Sequence, residues 1–446
     1  MRSRSLRWLL AKELHELAAS RAWWLLLLMI GPLAGHAFIT AVNLYAEASG
    51  IGGGPAALAQ GLSPLDGILA PTFGAYDLAV TLLFPFVAIR LVSAEKDSGA
   101  LKLMLQAPVG LSTMLIAKGV ALLMGWLVAW MPGVLALFLW KIYGGSMYAP
   151  EVLNLLLGHL LRVILSAGVA VAAAAIANGA ASAAIVTLGF TVGTWALDFM
   201  AAGRGGLLQK LGAYTPTAAL RFFEQGQLRL STAIVEVLLG VAGFVLAAVW
   251  LPTGRTLRWR LTASAATAAI LGAAVWVGAL PRSSWDLSEN RRNSFYPAEE
   301  AALRQIRTPL HVTIFLAAED PRLMDLDRNI LSKLQRILPR VDVDYAAHSR
   351  AGLFESPGDH YGEVWYELGG RKVMNRSTTE PIVLDTLYQL AQIQPPAHSE
   401  ESGYSGHPLA ASPTGAAWIF YALWPLAVAL AVWFCVPRHP HTMPTS

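Results

Sequence analysis

Residues 22–42 read AWWLLLLMIGPLAGHAFITAV, with no Asp, Glu, Lys or Arg among them. At about 1.5 Å of rise per residue, a helix of this length crosses a hydrocarbon core of about 30 Å. The stretch is not expected to be a cleaved leader, because no small-residue cleavage pattern follows it and a helical segment precedes it. Seven further stretches repeat the pattern, at Phe73–Ser93, Thr113–Leu139, Val152–Ile176, Ala180–Met200, Thr232–Leu251, Leu261–Leu280 and Gly415–Val436. The second is the weakest, since Asp77, Pro85 and Arg90 interrupt it. The expected fold is an α-helical polytopic membrane protein with about eight transmembrane helices.

Composition agrees. The 446-residue chain is 55% apolar and only 14% charged, against about 25% charged in soluble domains. One cysteine excludes a disulfide framework and any Cys-based zinc or iron–sulfur centre. A net charge of +4 does not call for nucleic acid as a partner.

The charges are uneven. Residues 281–414 hold 14 Lys/Arg and 18 Asp/Glu, about half of all charges in under a third of the length. This marks a water-soluble insertion between the seventh and eighth spans. With the N-terminus inside, the cytosolic side collects 13 basic residues, among them Arg21, Arg90, Lys96, Lys102, Lys118, Arg255 and Arg438. The outside loops collect Lys141, Arg204, Lys210, Arg221 and Arg229. Excess Lys and Arg mark the cytosolic face, so both termini are expected inside and residues 281–414 outside. The loop Gly203–Ser231, with four basic residues, is also expected outside, and Pro216–Leu228 has the spacing of a short interfacial helix. Ahead of the first span, Ser3–Ser20 places Leu6, Leu9, Leu10, Leu14 and Leu17 on one face, while Lys12, Glu13 and Glu16 fall mostly elsewhere. That is an amphipathic helix suited to the membrane surface.

The insertion reads as a small α/β domain. His311–Ala317 and Val341–Ala346 alternate like strands. Pro321 opens a helix carrying Leu323, Leu326, Ile330, Leu334 and Leu338, since proline is favoured in a first turn. Gly362–Leu368 and Lys372–Arg376 flank Gly369–Gly370 as a hairpin, and Thr379–Ile393 follows as a helix. Pro395–Pro413 is a Pro/Ser/Gly/His-rich linker to the last span.

Catalytic motifs are missing. There is no GxxxxGK[ST], no HExxH and no GxSxG. The GYSG at Gly403–Gly406 is one residue short of a nucleophile elbow and sits in the linker; the SxxK at Ser93–Lys96 is too loose to weigh. His407, His439 and His441 read as surface histidines rather than a metal site. Ionisable residues inside spans are costly and often functional. The candidates are His36, Asp77, His159, Arg162, Asp198 and Glu236. Asp77, Asp198 and Glu236 fall near expected outer ends, where water or a snorkelled partner satisfies them. His159 and Arg162, three apart on one helical face, either line a cavity or pair with an acidic residue of another helix. Small residues at Ala167–Ala175 and Gly179–Ala184 permit close helix approach, either within the chain or between subunits.

The loop after the second span reads SAEKDSGALKLMLQAPV over residues 93–109, followed by Lys118. It resembles the cytosolic loop of ABC-2 type permeases, which runs E-[KR]-x-x-G-[ST]-L-x-x-L-L-x-[ST]-P-[VI] with a downstream Lys. Glu95, Lys96, Gly99, Leu101, Leu105, Pro108 and Val109 match, while Ala100 and Ala107 replace small polar residues. The resemblance covers residues 1–251 and implies a six-helix permease domain over 22–251, preceded by the surface helix of residues 1–21. It also implies a coupling helix docking on a separate ABC ATPase subunit. Gly99 is expected to break the chain between two short helices, with Glu95, Lys96 and Lys102 offered to that partner. Trp285–Phe295, WDLSENRRNSF, looks like the D-L-[TS]-x-N-[KR]-x-[YN]-[ST] opening of the auxiliary component of gliding-motility-type ABC systems. Helix 261–280, the domain and linker 281–414, helix 415–436 and the cytosolic tail 437–446 would then be a shortened copy of it, fused to the permease.

The expectation is a non-catalytic permease subunit, in a homodimer or with a related permease, in the cytoplasmic (inner) membrane of a prokaryote. No cofactor or metal is expected in this chain, with ATP and Mg in the partner ATPase. Its outside domain would receive cargo or a periplasmic partner. The alternative is a mechanotransmitting scaffold that moves the outside domain without transport. An intramembrane enzyme using His36, His159 or Asp198 ranks last, since no nucleophile–base spacing supports it.

Overall fold

The computed structural model describes residues 2–51, 61–201, 206–281, 283–317, 320–346, 360–396, 404–409 and 415–435. Arg204, Gly403 and the tail 437–446, with Arg438, His439 and His441, lie outside the described residues, as do the side chains of Arg2 and Arg4. In chain order the elements are α1 (Arg2–Ala18), α2 (Arg21–Ala48), α3 (Ala70–Leu82), α4 (Phe84–Asp97), α5 (Ala100–Gln106), α6 (Leu111–Ala129), α7 (Met131–Ile142) and α8 (Ala149–Ile176). Then come α9 (Ala180–Ala201), α10 (Gly206–Gly212), α11 (Pro216–Glu224), β1 (Gln227–Arg229), α12 (Leu230–Trp250), α13 (Leu257–Gly278), β2 (Ser284–Asp286) and α14 (Pro297–Leu303). They continue as β3 (Leu310–Ile314), α15 (Pro321–Leu326), α16 (Ser332–Ile337), β4 (Val341–Tyr345), β5 (Val364–Leu368), β6 (Arg371–Asn375), α17 (Glu380–Ala391), α18 (Ala416–Trp418) and α19 (Trp424–Cys435).

Eight helical runs among the described residues are long and apolar enough to cross a membrane, so the chain is a helical polytopic protein. They are Arg21–Ala48, Leu65–Asp97, Leu111–Ile142, Ala149–Ile176, Ala180–Ala201, Leu230–Trp250, Leu257–Gly278 and Ala416–Cys435. Each contains the body of one expected stretch. The second begins eight residues earlier than expected, with a π-turn at Leu65–Leu69. Two runs are broken, and each break falls at a proline. Pro85 stands at the start of α4 and Pro132 at the start of α7, where a missing N–H is tolerated. At the second break the Gly133 N–H donates to the Tyr76 hydroxyl at 2.7 Å.

The chain divides into two compact units, and the division departs from the expected domain limits. One unit comprises Met1–Val192, Ser231–Pro281 and Ser405–Ser446; the other comprises Gly193–Leu230 and Arg282–Tyr404. Within the first, α1 packs on α6, α4 on α8, and α2 on α3 and α19. Glycine makes two of the close approaches possible. A Cβ on Gly168 of α8 would collide with the Gly240 carbonyl of α12. Small residues in the fourth span therefore serve packing inside the chain, whereas a Cβ on Gly179 after that span meets nothing within 4 Å. On α2, Gly31 and Gly35 form a notch for the last span. A Cβ on the first would collide with the Trp424 ring and on the second with Phe420. Trp424 Nε1 also donates to the Leu27 carbonyl at 2.8 Å. The end of the expected linker is pinned as well, because His407 N donates to Leu62 O at 2.9 Å and Tyr45 Oη donates to His407 O at 2.8 Å.

The second unit is the α/β domain, with strand order β4-β3-β5-β6. Strands β3 and β4 run parallel, joined through α15 and α16; β5 is antiparallel to β3, and β6 to β5. The hairpin turns at Gly369 and Gly370, at φ 57° and 83°. Glycine takes such angles without the Cβ penalty that other residues meet. Alternation along the strands sends Leu310, Val312 and Ile314 inward with Val364, Tyr366 and Leu368. They form one core with Leu326, Ile330 and Leu334 and with Val383, Leu384 and Leu387 of α17. The helix opened by Pro321 is in fact α15 and α16 joined by a π-turn at Asp327–Leu331. Segment 193–230 belongs to this unit. Its β1 pairs antiparallel with β2, Leu228 opposite Trp285. The expected interfacial helix is α11, capped by Thr215 Oγ1 accepting from Ala218 N at 3.2 Å, which satisfies one of the free N–H groups of its first turn.

Candidate functional site

The loop between α4 and α6 is built by charge. Glu95 is 2% exposed, and Lys118, two turns into the apolar helix α6, is 0% exposed. Lys118 Nζ lies 2.8 Å from Glu95 Oε2 and donates to Glu13 Oε1 and Oε2 of α1 at 3.0 and 2.9 Å. It also donates to the Leu91 carbonyl at 2.9 Å. Lys12 bonds Glu95 from the other side and reaches Glu13 at 3.1 Å and Glu16 at 3.0 Å. Five alternating charges thus lock α1, α4 and α6 together. Burial pushes the Glu13 carboxyl above its ordinary value, against the pull of Lys118. For Lys12, burial acts to lower the pKa, but the hydrogen bond to Glu95 and the charges of Glu13 and Glu95 prevail and raise it. Glu13, Glu16 and Glu95 are close enough to share a metal ion, their oxygens within 4.8 Å. Lys12 and Lys118 already pair with them.

Lys96 turns the opposite way. Its Nζ donates to the carbonyls of Ala174 (2.9 Å), Ala175 (3.1 Å) and Ala177 (2.6 Å). It thereby caps the carbonyl end of α8, where the helix leaves acceptors unused and its dipole is negative. Gly99, at φ 75°, breaks the chain as expected and starts α5, an angle open to glycine. On α5, Leu101 is buried, while Lys102 is exposed and Leu103 is 71% exposed. Leu105 is half-buried and Pro108 exposed. The expectation that Glu95 and Lys96 are offered to a partner is therefore corrected. Both are consumed inside the chain, because a carboxylate and an ammonium one residue apart point to different helices. Lys102, Leu103 and Pro108 form the outward surface. The helical pattern puts Glu13 off the packing face of α1, and in the structure it lies on that face with Leu17. The usable signal is Lys118, a single lysine in an otherwise apolar run.

A second cluster lies within the spans. Phe73, Asp77 and Thr81, at i, i+4 and i+8 on α3, face His159 and Arg162 of α8. Arg162 Nε donates to Asp77 Oδ1 at 2.9 Å, and Nη2 donates to Thr81 Oγ1 at 3.3 Å. The His159 ring lies 5.6 Å from that of Phe73. Arg162 is 1% exposed and sits midway along α8, so the pairing alternative holds. Asp77 is correspondingly not satisfied by water at a span end, and Glu236 of α12 is buried within electrostatic reach of both. His36 and Asp198 do not join this cluster. His36 Nδ1 lies 3.1 Å from the Tyr421 hydroxyl, and Asp198 accepts from Arg221 at 2.5 Å. Compared with known protein families, curated proteins and solved structures, the chain matches none.

Proposed function

We propose that this chain is the permease subunit of an ATP-driven transporter of the ABC-2 type, an exporter coupled to a separate ATPase chain. The observation that carries the reading is the anchoring of α5. A short helix exposing Lys102 and Leu103 follows directly on the end of α4, whose Glu95 is tied to α1 and α6 and whose Lys96 is tied to the end of α8. A push on α5 by an ATPase subunit then bears on α4 and, through it, on α1, α6 and α8 rather than bending a loose loop. The similarity of residues 93–109 to the family loop supports the same role. In this reading α1 and α5 lie on the cytosolic side of a prokaryotic inner membrane, the α/β unit lies outside, and two permease copies assemble with two ATPases. ATP and Mg belong to the ATPase, and the chain itself is not an enzyme.

The test is co-expression with a P-loop ATPase encoded beside this chain, with purification through a tag on the chain. Leu103→Asp, which alters an exposed side chain, is expected to abolish ATPase recovery while leaving the unfolding midpoint within about 2 °C. Equal recovery with Leu103→Asp and with Lys102→Glu removes α5 as the interface. Failure of the wild type to retain any ATPase removes the ABC reading.

The mechanotransmitting alternative is favoured by one observation. Arg162 and Asp77 close on each other instead of lining an open polar path. Vesicles that hydrolyse ATP and move the outer unit without accumulating any solute would select it.

A further inference from the structure

The segment Trp285–Phe295 contains two successive non-glycine residues in the left-handed region, Asn290 at φ 54° and Arg291 at φ 52°. Each costs on the order of 1 kcal/mol. The surroundings hold the turn in place. Ser288 N and Ser294 Oγ donate to the two oxygens of Asp286, at 3.0 and 2.6 Å, and Asn293 Nδ2 donates to Gln225 O at 2.5 Å. The Arg291 N–H closes on Ser288 O at 3.0 Å.

The effect of the turn is to bring Arg291 and Arg292 to the wall of a cleft of about 630 Å³, which they share with Tyr296, Lys333, Glu380 and Tyr404. That volume falls within the ordinary range of small-molecule sites. The cations are held in place from below. The Arg292 guanidinium lies 4.7 Å over the Tyr404 ring, and Lys333 Nζ lies 5.1 Å over the Phe295 ring, each attracted by the negative face of the aromatic ring. Lys333 Nζ also donates to Glu380 at 2.7 Å. Tyr404 is itself fixed by donating to Glu289 at 3.0 Å.

We propose that this cleft binds an acidic saccharide, a sugar ring bearing a carboxylate or phosphate. Arg291, Arg292 and Lys333 line the cleft; Lys333 is paired with Glu380 and Arg291 lies 3.9 Å from Glu300, so cations still outnumber these two carboxylates and favour an anion. A guanidinium fork matches the two oxygens of a carboxylate or phosphate. Glu380 offers an acceptor for ring hydroxyls, and the exposed Tyr296 offers a flat face to the C–H side of a sugar. An inorganic anion uses only the first of these features, and a neutral sugar only the others. The inference rests on the α/β unit alone and stands apart from the transport reading.

The test is calorimetric titration of the full chain in detergent micelles with glucuronic acid, galacturonic acid and glucose 6-phosphate, beside glucose and inorganic phosphate. At least one acidic sugar is expected to bind saturably and at least tenfold more tightly than glucose or phosphate. Arg292→Ala is expected to weaken that binding tenfold or more, with Arg292→Lys recovering part of it. Should Arg292→Ala fail to fold, Arg291→Ala, whose side chain is 58% exposed, carries the same expectation. Absence of saturable binding by all three acids overturns the proposal. So does phosphate binding as tightly as glucose 6-phosphate, or wild-type affinity in the arginine variants.

Discussion

Replacing Lys118 by methionine tests whether the buried charges organise the loop. The substitution keeps most of the side-chain volume and removes the ammonium that lies within 3.0 Å of Glu13 and Glu95. Both carboxylates stay buried, their side chains 0% and 3% exposed, with Lys12 as the remaining cation in direct contact. One such pair at about 3 Å attracts by about 5 kcal/mol at an effective dielectric of about 20. Breaking a buried pair from one side costs about 3–5 kcal/mol, because the stranded charge keeps its desolvation penalty. Loss of the bond to the Leu91 carbonyl adds about 1 kcal/mol. For a body of this size the expected fall in unfolding midpoint is on the order of 5–15 °C. Tryptophan fluorescence of the purified chain, which has 15 Trp, reads it. Glu13→Gln combined with Lys118→Met removes one stranded charge and is expected to recover a third or more of the loss. A Lys118→Met midpoint within about 1 °C of wild type, or a double variant no better than the single, refutes the reasoning.

The same glycine-to-alanine change is expected to act oppositely at two spans. Gly168→Ala forces α8 and α12 apart and lowers the midpoint. Gly189→Ala, whose Cβ meets nothing within 4 Å, leaves stability unchanged or raises it by about 0.5–1 kcal/mol of helix propensity. Arg162→Leu strands Asp77 beside Glu236, so the monodisperse fraction in size-exclusion chromatography should drop sharply and recover in part with Asp77→Asn added. In the α/β unit, burial pushes Asp327 from 3.8 up to about 6, the hydrogen bond from Tyr345 opposing it. A raised carboxyl contributes its full stability below pH 3.8 and loses it as pH rises through about 6. Asp327→Asn is therefore expected to raise stability at about pH 8 by about 3 kcal/mol and to change little at about pH 3.5. Chemical denaturation of the full chain at the two pH values, followed by far-UV circular dichroism, checks the sign.

The eight spans were legible because each needs only length and apolar content, and a bilayer punishes exceptions. Their ends were less so, since Leu65–Leu69 coils as a π-turn around Asp66, a residue that breaks the apolar run. Strands β3 to β6 were legible from alternation, and the hairpin from Gly369–Gly370. The three-residue ribbon β1–β2 was not, because three residues show no period and its pairing spans more than fifty positions. In the site, the identity of the loop residues was readable but their direction was not. A helical wheel separates charged from apolar faces, and so it turns Glu13 away from the packing side that Lys118 makes favourable. Arg162 and Asp77 showed the complementary limit, since one helix states that a charge is buried and only a second helix states what meets it. The left-handed pair Asn290–Arg291 carries no glycine to announce it.

The notch at Gly31 and Gly35 has a consequence for how the chain is made. Its occupants, Phe420 and Trp424, leave the ribosome nearly four hundred residues after the notch does. At about 5–20 residues per second, the first span waits roughly 20–80 s in the bilayer with its small-residue face unfilled. Lipid, or a helix from another chain, has that interval in which to sit there. The eighth span must therefore displace an occupant rather than enter empty space, so its docking waits on that exchange.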